Sequence, residues 1–263
     1  MTNCKTPRKR GHPPHEPTKA TRDTVRLHAI VGTRHEMIAQ VLQIDVKTLY
    51  KYYHDSYRLD KETGIEQGYE EAGTLIPPED KDNGIAITYA NMAFGQAFTA
   101  SALQMGAALS AIVNGGNYYQ PHLVASKALV SGETEKTPLK VLRKNVVSDR
   151  TSKDMIHLLD INTKDHIARW PYMKFQDGYV VGGKTGTAQI PVPGGYDPKW
   201  TIASFGGYFP AEKPQYVILV KIDRPQKSPW GSQVASPIFA AVAQQIAQLT
   251  GLPPDDIRKA LTK

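Results

Sequence analysis

The sequence predicts an α/β chain of the α+β kind, an antiparallel sheet backed by helices, preceded by a small all-helical segment. Three observations carry that prediction. Residues 201–209 and 216–222 alternate in apolar character around Pro210-Ala211-Glu212-Lys213-Pro214, the signature of a hairpin. An alanine-rich stretch over 235–249 sets Ile238, Val242, Ile246 and Leu249 at helical spacing, so this stripe is expected to cover the sheet. Near the other end, residues 22–30, 35–42 and 45–53 read as three short helices, with Ile38, Ala39, Val41, Leu42, Ile44, Val46 and Leu49 as their buried face.

The first 20 residues hold Lys5, Arg8, Lys9 and Arg10 among Pro7, Pro13, Pro14 and Pro17, the composition of a disordered basic tail. Residues 1–55 carry ten Lys/Arg against five Asp/Glu, most of the net charge of +7. Such a segment suits a phosphate backbone, although basic tails also serve solubility alone. The run from Ile38 to Leu49 resembles the helix-turn-helix of phage and transposase proteins, with Gln43 where that pattern carries glycine. The resemblance implies Asp45 as the cap of a recognition helix and Lys47, Thr48, Tyr50 and Lys51 as side chains reaching a DNA major groove. The competing reading is a small helical bundle that binds protein or nothing. The expected organisation is therefore a tail over 1–20, a helix-turn-helix-like segment over 21–55 and a larger domain over 56–263.

Within that domain, residues 99–114 place Leu103, Ala107, Ser110, Ala111 and Asn114 on one helical side, with Gly115-Gly116 as the stop. Residues 179–190 are rich in strand formers, and 191–197 read as a Pro/Gly loop at the mouth of a groove. The strand contains Gly182-Gly183-Lys184-Thr185-Gly186-Thr187-Ala188-Gln189. Lysine there supplies a point charge for a carboxylate, and the threonines supply hydroxyl donors. Gly186 lets a ligand lie against the strand, and the Thr187 backbone N–H can face a developing oxyanion.

Upstream stand Lys61-Glu62-Thr63-Gly64-Ile65-Glu66, Gly73-Thr74-Leu75-Ile76-Pro77 and Ala93-Phe94-Gly95-Gln96; downstream stands Ser204-Phe205-Gly206-Gly207-Tyr208-Phe209-Pro210. With the Lys-Thr-Gly-Thr strand, these resemble the C-terminal half of a class B penicillin-binding transpeptidase domain, from about Tyr57 to Ala247. The resemblance implies an incomplete serine acyltransferase fold and a peptidoglycan stem peptide or β-lactam as partner. Lys184, Thr185, Gly186 and Thr187 would bind substrate, and the Thr187 amide would serve the oxyanion.

The family nucleophile is the serine of Ser-x-x-Lys, whose lysine shares a helix face with it and takes its proton. No lysine here has serine three residues before it, and no serine has asparagine two residues after it, so Ser-x-Asn is missing as well. Tyr89-Ala90-Asn91 imitates a variant of that second motif but follows the Lys61–Glu66 segment that it should precede. The sequence as written is thus expected to bind a carboxylate without forming an acyl-enzyme. With the nucleophile-bearing helices missing, part of the sheet's apolar face is expected to lie bare.

Cys4 is the single cysteine and five of the eight histidines fall in the first 55 residues without ligand spacing, so neither a disulfide framework, a metal site nor a cofactor is expected. No apolar stretch approaches the roughly 18 residues of a spanning helix. Class B relatives are membrane-anchored and extracytoplasmic, whereas this chain reads as cytoplasmic as written. Two further readings remain: a DNA-binding protein carrying a dead transpeptidase fragment, or a misjoined reading frame with its seam at Asp55-Ser56-Tyr57.

Overall fold

The computed structural model describes residues 46–66, 68–79, 85–92, 95–169, 178–193 and 195–261. The basic tail and the two helices expected over 22–42 lie outside them. Helix α1 (Val46–Lys51) continues into a π-helical turn over Tyr52–Ser56. Tyr57 N–H donates to Tyr52 O at 2.8 Å and Leu59 N–H to Tyr53 O at 2.9 Å. The expected seam therefore falls inside continuous hydrogen-bonded backbone.

The packing of the described part of this segment, from residue 46 on, does not support the recognition-helix assignment, and Asp45 lies outside the described residues. Leu49, Tyr50 and Tyr53 pack against buried Leu75, Tyr89 and Met92. Helix α2 (Ile85–Met92) supplies the last two, and Tyr53 Oη donates to Met92 O at 2.9 Å. Tyr50 is half-buried and stacks on His54 with centroids 5.1 Å apart, so it is not free to enter a groove. Lys47, Thr48 and Lys51 are exposed, but on a six-residue helix anchored in the core of the larger domain. Tyr89 is buried too, its hydroxyl donating to Ile76 O at 2.6 Å, so Tyr89-Ala90-Asn91 is not a site motif.

Helix α3 (Ala102–Val113) opens with a capping box, in which Gln104 N–H donates to Ser101 Oγ at 3.1 Å and Ser101 N–H to Gln104 Oε1 at 2.7 Å. The buried Gln104 also donates from Nε2 to Lys61 O at 2.7 Å, tying the helix to the 58–66 turn. Its buried residues are Gln104, Ala108, Ala111 and Val113, of which Ala111 alone belongs to the expected side. Gly116, at φ +94°, ends it where any Cβ would overlap Val147 O.

Two small sheets follow, β1 (Tyr118–Tyr119) with β4 (Val141–Arg143) and β2 (Ser126–Ala128) with β3 (Thr134–Lys136). Glu70 and Glu66 fasten the nearby turn, accepting from Gly64 N–H at 3.0 Å and Leu123 N–H at 2.8 Å respectively. Burial pushes the Glu70 carboxyl up, but hydrogen bonds from Thr63, Gly64 and Ile65 outweigh it and hold the pKa below its ordinary value. A depressed folded pKa gives stability that is full above the unfolded carboxylate value and lost as pH falls through the folded one. Glu70→Gln is accordingly expected to lower the urea midpoint at pH 7 and to lower it less as the pH drops through the acid range.

The main sheet has order β5-β6-β7, from β5 (Gly182–Val192), β6 (Gly195–Phe209) and β7 (Tyr216–Asp223), all antiparallel. Within the expected loop at 191–197, residues 191–192 and 195–197 are strand, since Pro191 pairs with Tyr196 and Val192 with Gly195 beyond a register shift after Gln189. Helix α4 (Asp149–Arg169) packs on β5, and α5 (Gly231–Leu249) packs on β6 and β7. One sheet face buries Phe205 and Phe209 against Ala235, Phe239, Ala240, Ala243 and Ala247 of α5. Tyr208, on the other face, packs with Val113, Leu109, Ile156 and Leu159 of α3 and α4. Among the described residues the sheet is thus covered on both faces, so the bare apolar face expected from the sequence is not found.

The stripe expected to cover the sheet does so only in part, because Ile246 packs against the core but Ile238 is 45% exposed and Leu249 87% exposed. The facing side is alanine plus Phe239, since a Cβ on Gly207 would already sit 2.7 Å from the Phe239 ring. Close approach selects small residues, and Ile238 and Leu249 turn outward. Helix α6 (Asp255–Leu261) closes the chain, with Asp255 accepting from Val180 N–H at 2.5 Å just before β5.

Candidate functional site

Strand β5 pairs on one side only, with β6, which leaves its second edge open among the described residues. In an antiparallel pair, alternate residues turn both backbone polar groups to the same edge. The carbonyls of Gly183 and Thr185 are taken up from outside the sheet. Asn162 Nδ2 and Thr163 Oγ1 of α4 donate to Gly183 O at 2.9 and 3.3 Å, and Lys184 Nζ donates to Thr185 O at 2.9 Å. By the same alternation the Thr187 N–H and C=O lie on that open edge, before the register shift.

Lys184 pairs with Gly206, Gly186 with Ser204 and Thr187 with Ala203, so the four sequence-predicted site residues form one contiguous run of this edge. The Lys184 side chain is exposed, yet crowding by protein atoms around its ammonium desolvates it and lowers its pKa. An anion at that edge would favour the charged form and offset the desolvation. Gly186 has a packing reason beyond ligand access, because a Cβ there would overlap Ser204 Oγ across the pair.

Thr187 is exposed, and its Oγ1 accepts from Gly231 N–H at 3.2 Å, the first amide of α5. That bond uses an acceptor lone pair and leaves the hydroxyl hydrogen to donate outward. The helix start thereby orients the threonine. Trp230, which precedes it, is 55% exposed, and Tyr196 is 43% exposed at the far end of the β5–β6 hairpin. Lys199 Nζ sits 4.5 Å above the Trp200 ring, so this indole face is occupied by a cation.

Four further residues complete the surroundings, and motif reading misses them. Asn162, Thr163 and His166 come from α4, and Gly231 from α5. His166 Nε2 is buried without a hydrogen-bond partner. Burial pulls the His166 pKa down and nearby Lys184 adds to this, against an upward pull from Asp165. The three α4 residues occur at three- and four-residue spacing on the side that meets β5, a helical signal that names no partner strand.

This edge can hold a carboxylate beside a carbonyl: a cation at Lys184, an outward hydroxyl at Thr187, and an amide on the open side. The family described as the penicillin binding protein transpeptidase domain matches residues 33–244. The chain belongs to that family. It is 35% identical over 225 residues to the stage V sporulation protein D of Bacillus subtilis, covering 78% of this chain and 31% of that protein. It is 31% identical to the penicillin-binding protein PbpB of Mycobacterium tuberculosis, over 76% of this chain and 31% of that one. The solved penicillin binding protein 3 of Mycobacterium tuberculosis, complexed with ampicillin, superposes with a TM-score of 0.70 at 26% identity, covering 83% of this chain and 49% of that chain. The chain therefore spans about a third of the length of these curated relatives. The family match begins at residue 33, so it takes in α1 and most of the segment read as a helix-turn-helix.

Proposed function

We propose that the chain supplies the substrate-carboxylate half of a transpeptidase site acting in peptidoglycan cross-linking, with a stem peptide or a β-lactam on the open edge of β5. The observation that carries this reading is the exposed Lys184–Thr187 edge, with Thr187 oriented by the α5 amide. Lys184 neutralises the ligand carboxylate, the Thr185 and Thr187 hydroxyls donate to it, and the Thr187 N–H polarises the scissile carbonyl. The ampicillin complex of the structural relative supports a β-lactam as ligand. We further propose that residues 33–55 belong to the transpeptidase domain, which then begins earlier than residue 56.

Acylation needs a nucleophile and base that these 263 residues do not present as Ser-x-x-Lys or Ser-x-Asn. The 263-residue chain alone is expected to bind a D-Ala-D-Ala peptide reversibly and to take no covalent label from a fluorescent penicillin. Lys184→Ala is expected to weaken the peptide by about ten- to a hundredfold, the range of one charge-assisted hydrogen bond. Covalent labelling would overturn the incomplete-site reading, and affinity unchanged by Lys184→Ala would overturn the carboxylate assignment.

A further inference from the structure

We propose that the chain carries a second binding site, for a small carboxylate, between the 58–64 turn and the β1–β4 sheet. A cavity of about 640 Å³ opens there, lined among others by Arg58, Lys61, Gly64, Gln120 and Lys140. Its size suits a small molecule. None of its lining residues lies on β5, β6, α4 or α5, so it is separate from the Lys184 edge.

Its charge is unbalanced toward cations. Arg58, Lys61 and Lys140 line it, and among the described residues none of the three has a carboxylate within ion-pair distance. The lining acids are Asp60 and Glu62. Asp60 Oδ2 is engaged by His54 Nδ1 at 2.5 Å, its Oδ1 is buried without a hydrogen-bond partner, and Glu62 is exposed.

Arg58 is the centre of the case. Its backbone sits at φ +54°, in the left-handed region that a Cβ disfavours. Its Nε is buried with no hydrogen-bond partner, while Nη2 donates to Glu62 O at 3.3 Å. Stability alone would favour glycine at this position. A residue that accepts both backbone strain and an unpaired buried donor is the kind found where a ligand completes the arrangement.

The walls are already held in place. Gln120 Nε2 donates to Gly64 O, Glu70 accepts from Gly64 N–H at 3.0 Å, and Gln104 Nε2 donates to Lys61 O at 2.7 Å. The planar Arg58 guanidinium suits a carboxylate, and two lysines beside it act as point charges. The ligand class is therefore a carboxylate rather than a neutral polar molecule.

The test is calorimetric titration of the whole 263-residue chain with glutarate, with inorganic phosphate as the second probe. Saturable glutarate binding is expected, lost in Arg58→Gly and weakened about tenfold in Lys140→Gln, while both variants are expected to bind the D-Ala-D-Ala peptide as the parent chain does. Glycine adopts the same backbone conformation without the guanidinium, so the Tm of Arg58→Gly is expected to stay equal or rise. The proposal is overturned if no saturation occurs below about 10 mM. Binding that survives Arg58→Gly overturns it as well. Tighter binding of phosphate than of glutarate would overturn the carboxylate class, and a lowered Tm in Arg58→Gly with binding intact would make Arg58 a structural residue. Because Arg58→Gly is decisive for glutarate and silent for the peptide, failure of this site and failure of the transpeptidase reading are distinguishable.

Discussion

Gly231→Ala is expected to remove about 3 kcal/mol of stability and, with it, the orientation of Thr187. Gly231 is buried at the first turn of α5, and a Cβ there would overlap Gly186 O and Ser204 O. Both obstacles are backbone atoms of paired strands, so neither can rotate aside. The helix start would have to lift, breaking the 3.2 Å bond from Gly231 N–H to Thr187 Oγ1. Thermal or urea unfolding, with a peptide titration on the same sample, reads both consequences. Gly106→Ala is the matching control, since nothing lies within 4 Å of a Cβ on that helical glycine. It is expected to be neutral or stabilising by up to about 1 kcal/mol. If the two variants melted alike, close approach of α5 to β5 would not be what holds the edge in shape.

The site strand was legible because its chemistry is compressed into consecutive residues. Lys184, Thr185, Gly186 and Thr187 lie on one strand, so no knowledge of the fold was needed to bring them together. Residues 201–209 and 216–222 were legible for a similar reason, a hairpin being a local contact. Long-range packing was where reading stopped. Leu49, Tyr50 and Tyr53 have the periodicity of any buried helix face, and the sequence does not say that Leu75, Tyr89 and Met92 receive them. A helix-turn-helix and a scaffold helix share that period, so the pattern suggested DNA where the structure has core. The failure on α5 has a different cause. Side-chain size alone picks the larger aliphatics as the buried side, but the sheet offers Gly207 opposite Phe239, and only small neighbours allow that distance. Asn162, Thr163 and His166 could not be attached to the site at all, since their partner strand begins beyond the end of their helix.

Phe239→Ala tests the same packing from the helix side and is expected to cost about 3–5 kcal/mol, a large share of a typical domain's stability. The ring is fully buried, with its centroid 4.6 Å from that of Phe205 in a tilted arrangement. Its truncation leaves a void faced partly by Gly207, which has no side chain to relax into it, so collapse of the cavity is limited. Urea unfolding should show a lower midpoint with an unchanged slope, as for a two-state domain that has lost contacts without changing the surface it exposes. Ile238→Ala removes an aliphatic side chain from the adjacent position, one that size alone assigns to the core. At 45% exposure its loss is expected to cost about 1 kcal/mol or less. Comparable losses from the two variants would mean that α5 turns its large aliphatics, not its alanines and Phe239, toward the sheet. The close approach that seats Gly231 under Thr187 would then have no basis.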